Sequence, residues 1–249
     1  MPRQKLMNKL QNLFADNRTK TRAGIRVHNS EGVSTVYLYD AIGGWYGVTA
    51  EDFAKTLNEI EADTIHLRIN SPGGDVFEAR AMQVALKQHS AKIIAHIDGL
   101  AASAATYVAL GANEVEMADG AFFMIHNAWT LGMGNANDFI ELADMLSKVD
   151  DSIAKDYQRK TGVENQQIKQ WMDSETWFTA AEAKEHGFID RVFEEEEDPE
   201  NQNDWDLSAY ANAPANLTEI KKQHQNDQQI KAHKEKLLRR IDMLDAIAS

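Results

Sequence analysis

The chain has 249 residues and no cysteine. Disulfides, thiolate nucleophiles and cysteine-based zinc sites are thereby excluded, so any covalent catalyst must be another residue type. Long apolar runs are missing as well. The best candidate, residues 97–112, is broken by Asp98, Gly99, Ser103 and Thr106 and falls short of the roughly 20 apolar residues of a membrane-spanning helix. No membrane partner is expected. Positive charge is scarce: 26 Lys and Arg stand against 39 Asp and Glu, a net charge of -13. Nucleic-acid binders concentrate Lys and Arg on one surface, so nucleic acid is not an expected partner. Neither GxxxxGK[ST] nor GxGxxG occurs, and no His/Asp/Glu cluster has metal-ligand spacing. No cofactor and no metal are expected. The basic start, Met1 to Leu6, does not open into the apolar core and small-residue cleavage site of a signal peptide. The expected location is the cytoplasm.

What is present is an ordinary globular composition, 43% hydrophobic and 26% charged, divided into zones. A mixed segment spans 1–22 and a patterned body 23–193. A polar tail then opens with Glu194-Glu195-Glu196-Glu197-Asp198-Pro199-Glu200. Like charges repel and hydrate strongly, so 194–216 is expected to be an exposed acidic linker. Over 217–249, Ile230, Leu237, Leu238, Ile241, Leu244 and Ile247 fall on one helical face. Such an amphipathic tail needs another element to bury its stripe. The expectation is that the body carries the chemistry and the tail recognises a partner.

In the body, β-branched and apolar runs alternate with helical periodicity. Strands are expected over 24–28, 33–39, 64–70, 92–97 and 122–125, and helices over 50–61, 76–88 and 102–110. This βαβ order implies an α/β fold whose ligands sit beyond the carboxyl ends of the strands, after Asn70 and after Ile97. A long amphipathic helix is expected over 137–158, carrying Phe139, Leu142, Ala143, Leu146, Val149, Ile153 and Tyr157 on one side. Thr179 and Glu182 form a capping-box pattern, Gly187 closes that short helix, and 188–193 returns to strand.

Three places can do chemistry. After the strand ending at Asn70, Ser71-Pro72-Gly73-Gly74-Asp75 permits positive φ and lets backbone N–H groups face an anion or a developing oxyanion. A plain tight turn fits as well. Ser103 lies among alanines at a helix start, where a nucleophile gains from the dipole and from the next residue's N–H. A tightly packed small-residue helix fits these residues too. His126 ends the strand over 122–125, where a general base could reach Ser103. Asp173 and Glu175, in Met172-Asp173-Ser174-Glu175-Thr176-Trp177, are the candidate orienting acids.

Taken together, Ile69-Asn70-Ser71-Pro72-Gly73-Gly74, Gly99-Leu100-Ala101-Ala102-Ser103, Met124-Ile125-His126-Asn127 and Phe178 to Asp190 resemble the ClpP family of serine proteases, across about 24–192. Within the family the resemblance is strongest to the phage and prophage head maturation branch. It implies a crotonase-like spiral of ββα units with a protruding handle helix, to which this chain adds the polar tail. It further implies Ser103 as nucleophile, His126 as base, and an oxyanion hole from the amides of Gly74 and Ala104, with Gly73 in the same turn. The family's aspartate position, two before an aromatic, holds Glu175 here, and Asp173 is the rival. Heptameric rings, single or stacked, and protein substrates such as capsid or scaffold chains are implied.

The function expected is therefore a serine endopeptidase acting in capsid maturation. Three alternatives stand beside it. General proteolysis with an ATPase partner is put in doubt by Ala128-Trp129, which departs from the housekeeping enzymes' sequence, and by the extra tail. A crotonase-type acyl-CoA enzyme would share the fold but has no need of a serine–histidine pair. An inert assembly protein would rely on the tail alone.

Overall fold

The computed structural model describes residues 24–43, 47–194, 205, 207, 210–214 and 217. The segment 1–22 and the stripe from Ile230 to Ile247 therefore lie outside the described residues. Eight strands form one sheet: β1 (Ile25–Ser30), β2 (Val33–Leu38), β3 (Thr64–Ser71), β4 (Lys92–Ala102), β5 (Glu114–Ala118), β6 (Phe122–Ile125), β7 (Thr176–Thr179) and β8 (Arg191–Phe193). The order is β1-β2-β3-β4-β5-β8, with β6 pairing β4 and β7 pairing β6. Pairing is parallel from β2 to β5 and onward to β8, while β1–β2 and β6–β7 are antiparallel.

Among the described residues six helices accompany the sheet: α1 (Ala50–Asn58), α2 (Val76–Gln88), α3 (Ala104–Ala109), α4 (Ala136–Thr161), α5 (Asn165–Asp173) and α6 (Ala180–Glu185). Alternation along the strands sends Val36, Leu38, Ile65, Leu67, Ile69, Ile93, Ala95 and Ile97 to one face. There they pack with Phe53 and Leu57 of α1, Met82 and Leu86 of α2, and Tyr107 and Val108 of α3 in a single core. Helix ends follow local chemistry. The Asp75 carboxylate accepts from the amides of Phe77 and Glu78 at the start of α2. Thr179 and Glu182 form the expected capping box.

Strand β4 organises the site. Its first half, Ile94–Ile97, pairs with β5, and its last residues, Leu100–Ala102, pair with β6. One strand thus feeds two arms of the sheet. Residues 98–102 stay extended, so the helix expected from 102 begins only at Ala104, after Ser103. Three elements went unread in the sequence, β5, β7 and α5, being short and without a clean period.

Helix α4 has 26 residues, a length of about 39 Å at 1.5 Å per residue. It buries only Ile153, Ala154, Asp156 and Tyr157. Of the stripe expected on it, Ile153 and Tyr157 reach the core, whereas Phe139 is exposed. The helix therefore projects, as a handle helix should.

The tail departs from expectation. Trp205, Leu207 and Leu217 are buried, in a second apolar cluster with Leu100, Ala102 and Met124. The acidic run predicts hydration through 216, but Trp205 and Leu207 within it, with Leu217 just beyond, outweigh it locally, since burying each is worth about 1.5–3 kcal/mol. The described part of 205–217 is laid against the body. Among the described residues, no helix is long and apolar enough to cross a membrane.

Candidate active site

Ser103 sits at the tip of a strand–turn–helix, with φ 54 and ψ -125. A non-glycine residue holds such backbone angles only when its surroundings impose them. Here its amide donates to the Met124 carbonyl at 2.9 Å. Its carbonyl accepts from the amide of Thr106 at 3.0 Å and from the Thr106 hydroxyl at 2.6 Å. Ala101, Ala102, Ala104 and Ala105 are buried around it, and their small side chains let the turn lie tight against the sheet.

His126 follows β6, so the β4–β6 pairing that anchors Ser103 also brings the imidazole across to it. Nε2 lies 2.7 Å from Ser103 Oγ. For the hydroxyl to donate to Nε2, the ring proton must sit on Nδ1. Burial pushes the His126 pKa down from 6.5 to about 4, against the attraction of Glu175. The ring is therefore neutral at pH 7, the form a general base requires.

The turn after β3 comes in from the other side. Gly73 has φ 85, and a Cβ there would lie 2.4 Å from the Ala102 carbonyl oxygen and 2.9 Å from Ser103 Cβ. Only glycine lets this turn approach the serine so closely. At Gly74, with φ 152, a Cβ would meet the Ile42 carbonyl oxygen at 1.9 Å. The Gly73 amide donates to Ser71 Oγ at 3.2 Å and its carbonyl accepts from the Ile42 amide at 2.9 Å. Gly73 is thus committed to holding the turn. Gly74 and Ala104 line the same cavity as Ser103 and His126.

The two candidate acids part company. Asp173 is exposed and accepts from Asn127 Nδ2 at 2.7 Å. Glu175 is half-buried, has φ 48, and is the charge that acts on His126. Its carboxylate accepts from the amides of Ala211 at 2.9 Å and Asn212 at 2.7 Å and from the Trp177 indole at 3.3 Å. Of the two, Glu175 is the acid whose charge acts on the imidazole.

A cavity of about 370 Å³ opens in front of Ser103 and His126, lined further by Gly74, Ala104, Trp129 and Tyr210. Tyr210 was not among the residues singled out in the sequence. The signal was there, in Trp205, Leu207 and Tyr210 standing in an otherwise polar stretch. Thr106 and Tyr157, which support the serine turn, carry no sequence signal beyond core-like spacing. No group of His, Asp and Glu capable of holding a metal ion occurs among the described residues.

A family model described as Clp protease matches residues 49–196. The ATP-dependent Clp protease proteolytic subunit 2 of Corynebacterium diphtheriae is 31% identical over 137 residues, 54% of this chain and 69% of that protein. The corresponding subunit of Chara vulgaris is 30% identical over 140 residues, 55% of this chain and 64% of that protein. Among solved structures, ClpP1 from Listeria monocytogenes superposes with a TM-score of 0.54 at 27% identity, covering 65% of this chain and 92% of that one. A mutant of the same protein gives 0.57 at 26% identity, covering 64% and 91%. The fold is that of ClpP, and the chain belongs to the Clp protease family of serine peptidases.

Proposed function

We propose that the chain is an endopeptidase that acylates Ser103 and hydrolyses the acyl-enzyme. The observation that carries this reading is the 2.7 Å contact between Ser103 Oγ and a neutral His126 Nε2 at the floor of an open cavity. His126 takes the hydroxyl proton as Oγ attacks a peptide carbonyl, then gives it to the leaving amine. The amides of Gly74 and Ala104 receive the oxyanion, and Gly73 holds the turn that presents the first of them. A water deprotonated by His126 then releases the acyl group from Ser103. Glu175 stabilises the imidazolium that forms, through the field it already exerts.

The substrate class is protein, and we take capsid or scaffold chains in phage head assembly as the finer reading. Sequence resemblance, the departure at Ala128-Trp129 and the tail support it over general proteolysis with an ATPase partner. Assembly into rings is supported by the exposed apolar side chains of the projecting helix and the loop before it. There Met133 is 99% exposed, Ile140 60% and Leu131 59%, more apolar surface than a solitary chain usually leaves uncovered.

Fluorophosphonate labelling tests the chemistry, because only an activated serine reacts. Stoichiometric labelling of the intact chain, lost in Ser103→Ala, is the expected result. An unlabelled chain would leave an inert assembly protein as the better reading. Cleavage of capsid or scaffold chains, against no cleavage of unrelated unfolded proteins, tests the substrate.

A further inference from the structure

The described part of the tail does more than bury apolar surface, because it closes one side of the site. Tyr210 stands edge-on to the His126 imidazole, with centroids 5.6 Å apart and planes at 87°. Its ring also meets Trp177 at 5.6 Å. Its hydroxyl donates to the Pro72 carbonyl, one residue before the glycine turn. The next two amides, of Ala211 and Asn212, donate to the Glu175 carboxylate, and Asn212 Nδ2 donates to the Ser174 carbonyl at 2.8 Å. Upstream, the Trp205 indole donates to Asn70 Oδ1 at 3.0 Å, at the end of β3. One short segment therefore touches the base, the acid and, at Asn70 and Pro72, the chain that leads into the Gly73-Gly74 turn.

We propose that this segment is a built-in wall of the active site and that Tyr210 is a positioning residue, its ring fixing the His126 imidazole and its hydroxyl fixing the Pro72-Gly73-Gly74 turn. The inference rests on the reading of Ser103 and His126 given above. A blocking role fits the geometry less well. With Tyr210 in place the cavity before Ser103 stays open, Tyr210 forms part of its lining, and the Ser103–His126 contact is made.

The base side of the site is thus shielded from water by a residue that lies outside the matched family region, which ends at 196. Among the described residues, the groups facing His126 are Ser103 from the β4 turn, Glu175 from the turn after α5, and Tyr210 from the tail. Glu175 is the charged one among them, and it favours the imidazolium. Burial opposes it and prevails. Removing the Tyr210 ring removes part of that burial.

Two variants of the full chain separate the two contacts. Tyr210→Phe keeps the ring on His126 and deletes the hydroxyl's bond to Pro72. It should lower kcat about 3- to 10-fold, the worth of one hydrogen bond, with KM little changed. The acid limb of its kcat/KM profile should stay where it is. Tyr210→Ala deletes both contacts. It should lower kcat/KM on the order of 10- to 100-fold and move the acid limb up from near pH 4 toward 6.5, the ordinary imidazole value. A merely structural tyrosine would not move that limb.

Peptide turnover and the rate of fluorophosphonate labelling of Ser103 are read on wild type and both variants, with Tm as the check on folding. If Tyr210→Ala unfolds the chain, the phenylalanine variant decides, since it preserves the apolar packing. Wild-type kcat in Tyr210→Phe would overturn the positioning role, as would an unmoved acid limb in a folded Tyr210→Ala. Faster turnover in either variant would overturn it in the other direction, by revealing a block. A wild-type chain that neither labels nor cleaves would sink the serine-peptidase reading itself, and the positioning role with it.

Discussion

Tyr157, on the projecting helix α4, has its hydroxyl 2.6 Å from the hydroxyl of Thr106, which in turn donates to the Ser103 carbonyl at 2.6 Å. Because Thr106 spends its single proton on Ser103, Tyr157 must be the donor in this pair. The handle is thereby hydrogen-bonded to the strained serine turn through one intermediate. Tyr157→Phe leaves the packing and removes the outer link. It should cost about 1 kcal/mol of stability and lower kcat severalfold while KM holds, measured by thermal unfolding and by peptide kinetics. Unchanged kcat would show that Thr106 alone holds the turn.

Ser103→Ala should abolish peptidase activity without loss of fold, since removing a triad nucleophile costs on the order of 10⁴-fold or more. His126→Ala should be nearly as damaging, and the double variant no worse than either single one. Groups that act as one unit lose their effect together. Activity retained within about tenfold in Ser103→Ala would require another nucleophile.

Glu175→Gln should cost more activity than Asp173→Asn. Glu175 presents its carboxylate to three N–H donors and acts on His126, whereas Asp173 lies exposed on Asn127. A glutamine has one acceptor oxygen, so its NH₂ would face an amide donor and loosen the tail as well. The kcat/KM values of both variants on one peptide substrate decide it. A greater loss in Asp173→Asn would transfer the acid's role to that residue.

Burial holds His126 at about 4 and also His96, where Glu116 opposes the effect, at about 4. Each folded pKa lies below the unfolded value near 6.5. Between those limits the unfolded chain binds the proton and the folded one does not, so stability falls as pH drops from about 6.5 to 4 and levels off below. The slope is at most about 1.4 kcal/mol per pH unit for each group. Above about pH 6.5 these two groups add no pH dependence. The kcat/KM profile should keep its acid limb near 4, because the base stays neutral down to there. Urea unfolding across pH 4–8 and a pH–rate profile check the two halves. An acid limb at 6.5 would mean that His126 is solvated.

Much of the body was legible in the residues themselves. The periods of β2, β3 and α2, the Thr179 capping box and the Gly73-Gly74 turn are local patterns, set by side chains a few positions apart. Ser103 could be nominated because it stands among alanines where a helix was expected to start, and His126 because it ends a short apolar strand. The tertiary structure alone decided what depends on chain segments meeting at a distance. Strand β4 pairs with both β5 and β6, which sets Ser103 against His126. Asp173 and Glu175 are separated by which neighbour each acquires. The exposure expected over 194–216 fails at Trp205 and Leu207 for the same reason. Charge density is a local property, whereas Trp205 finds Asn70 across 135 positions and Tyr210 finds Pro72 across 138. No periodicity encodes a contact at that range; it forms because the paired ends of β4 and β6 leave Ala102 and Met124 to be covered, and the tail is long enough to return and cover them.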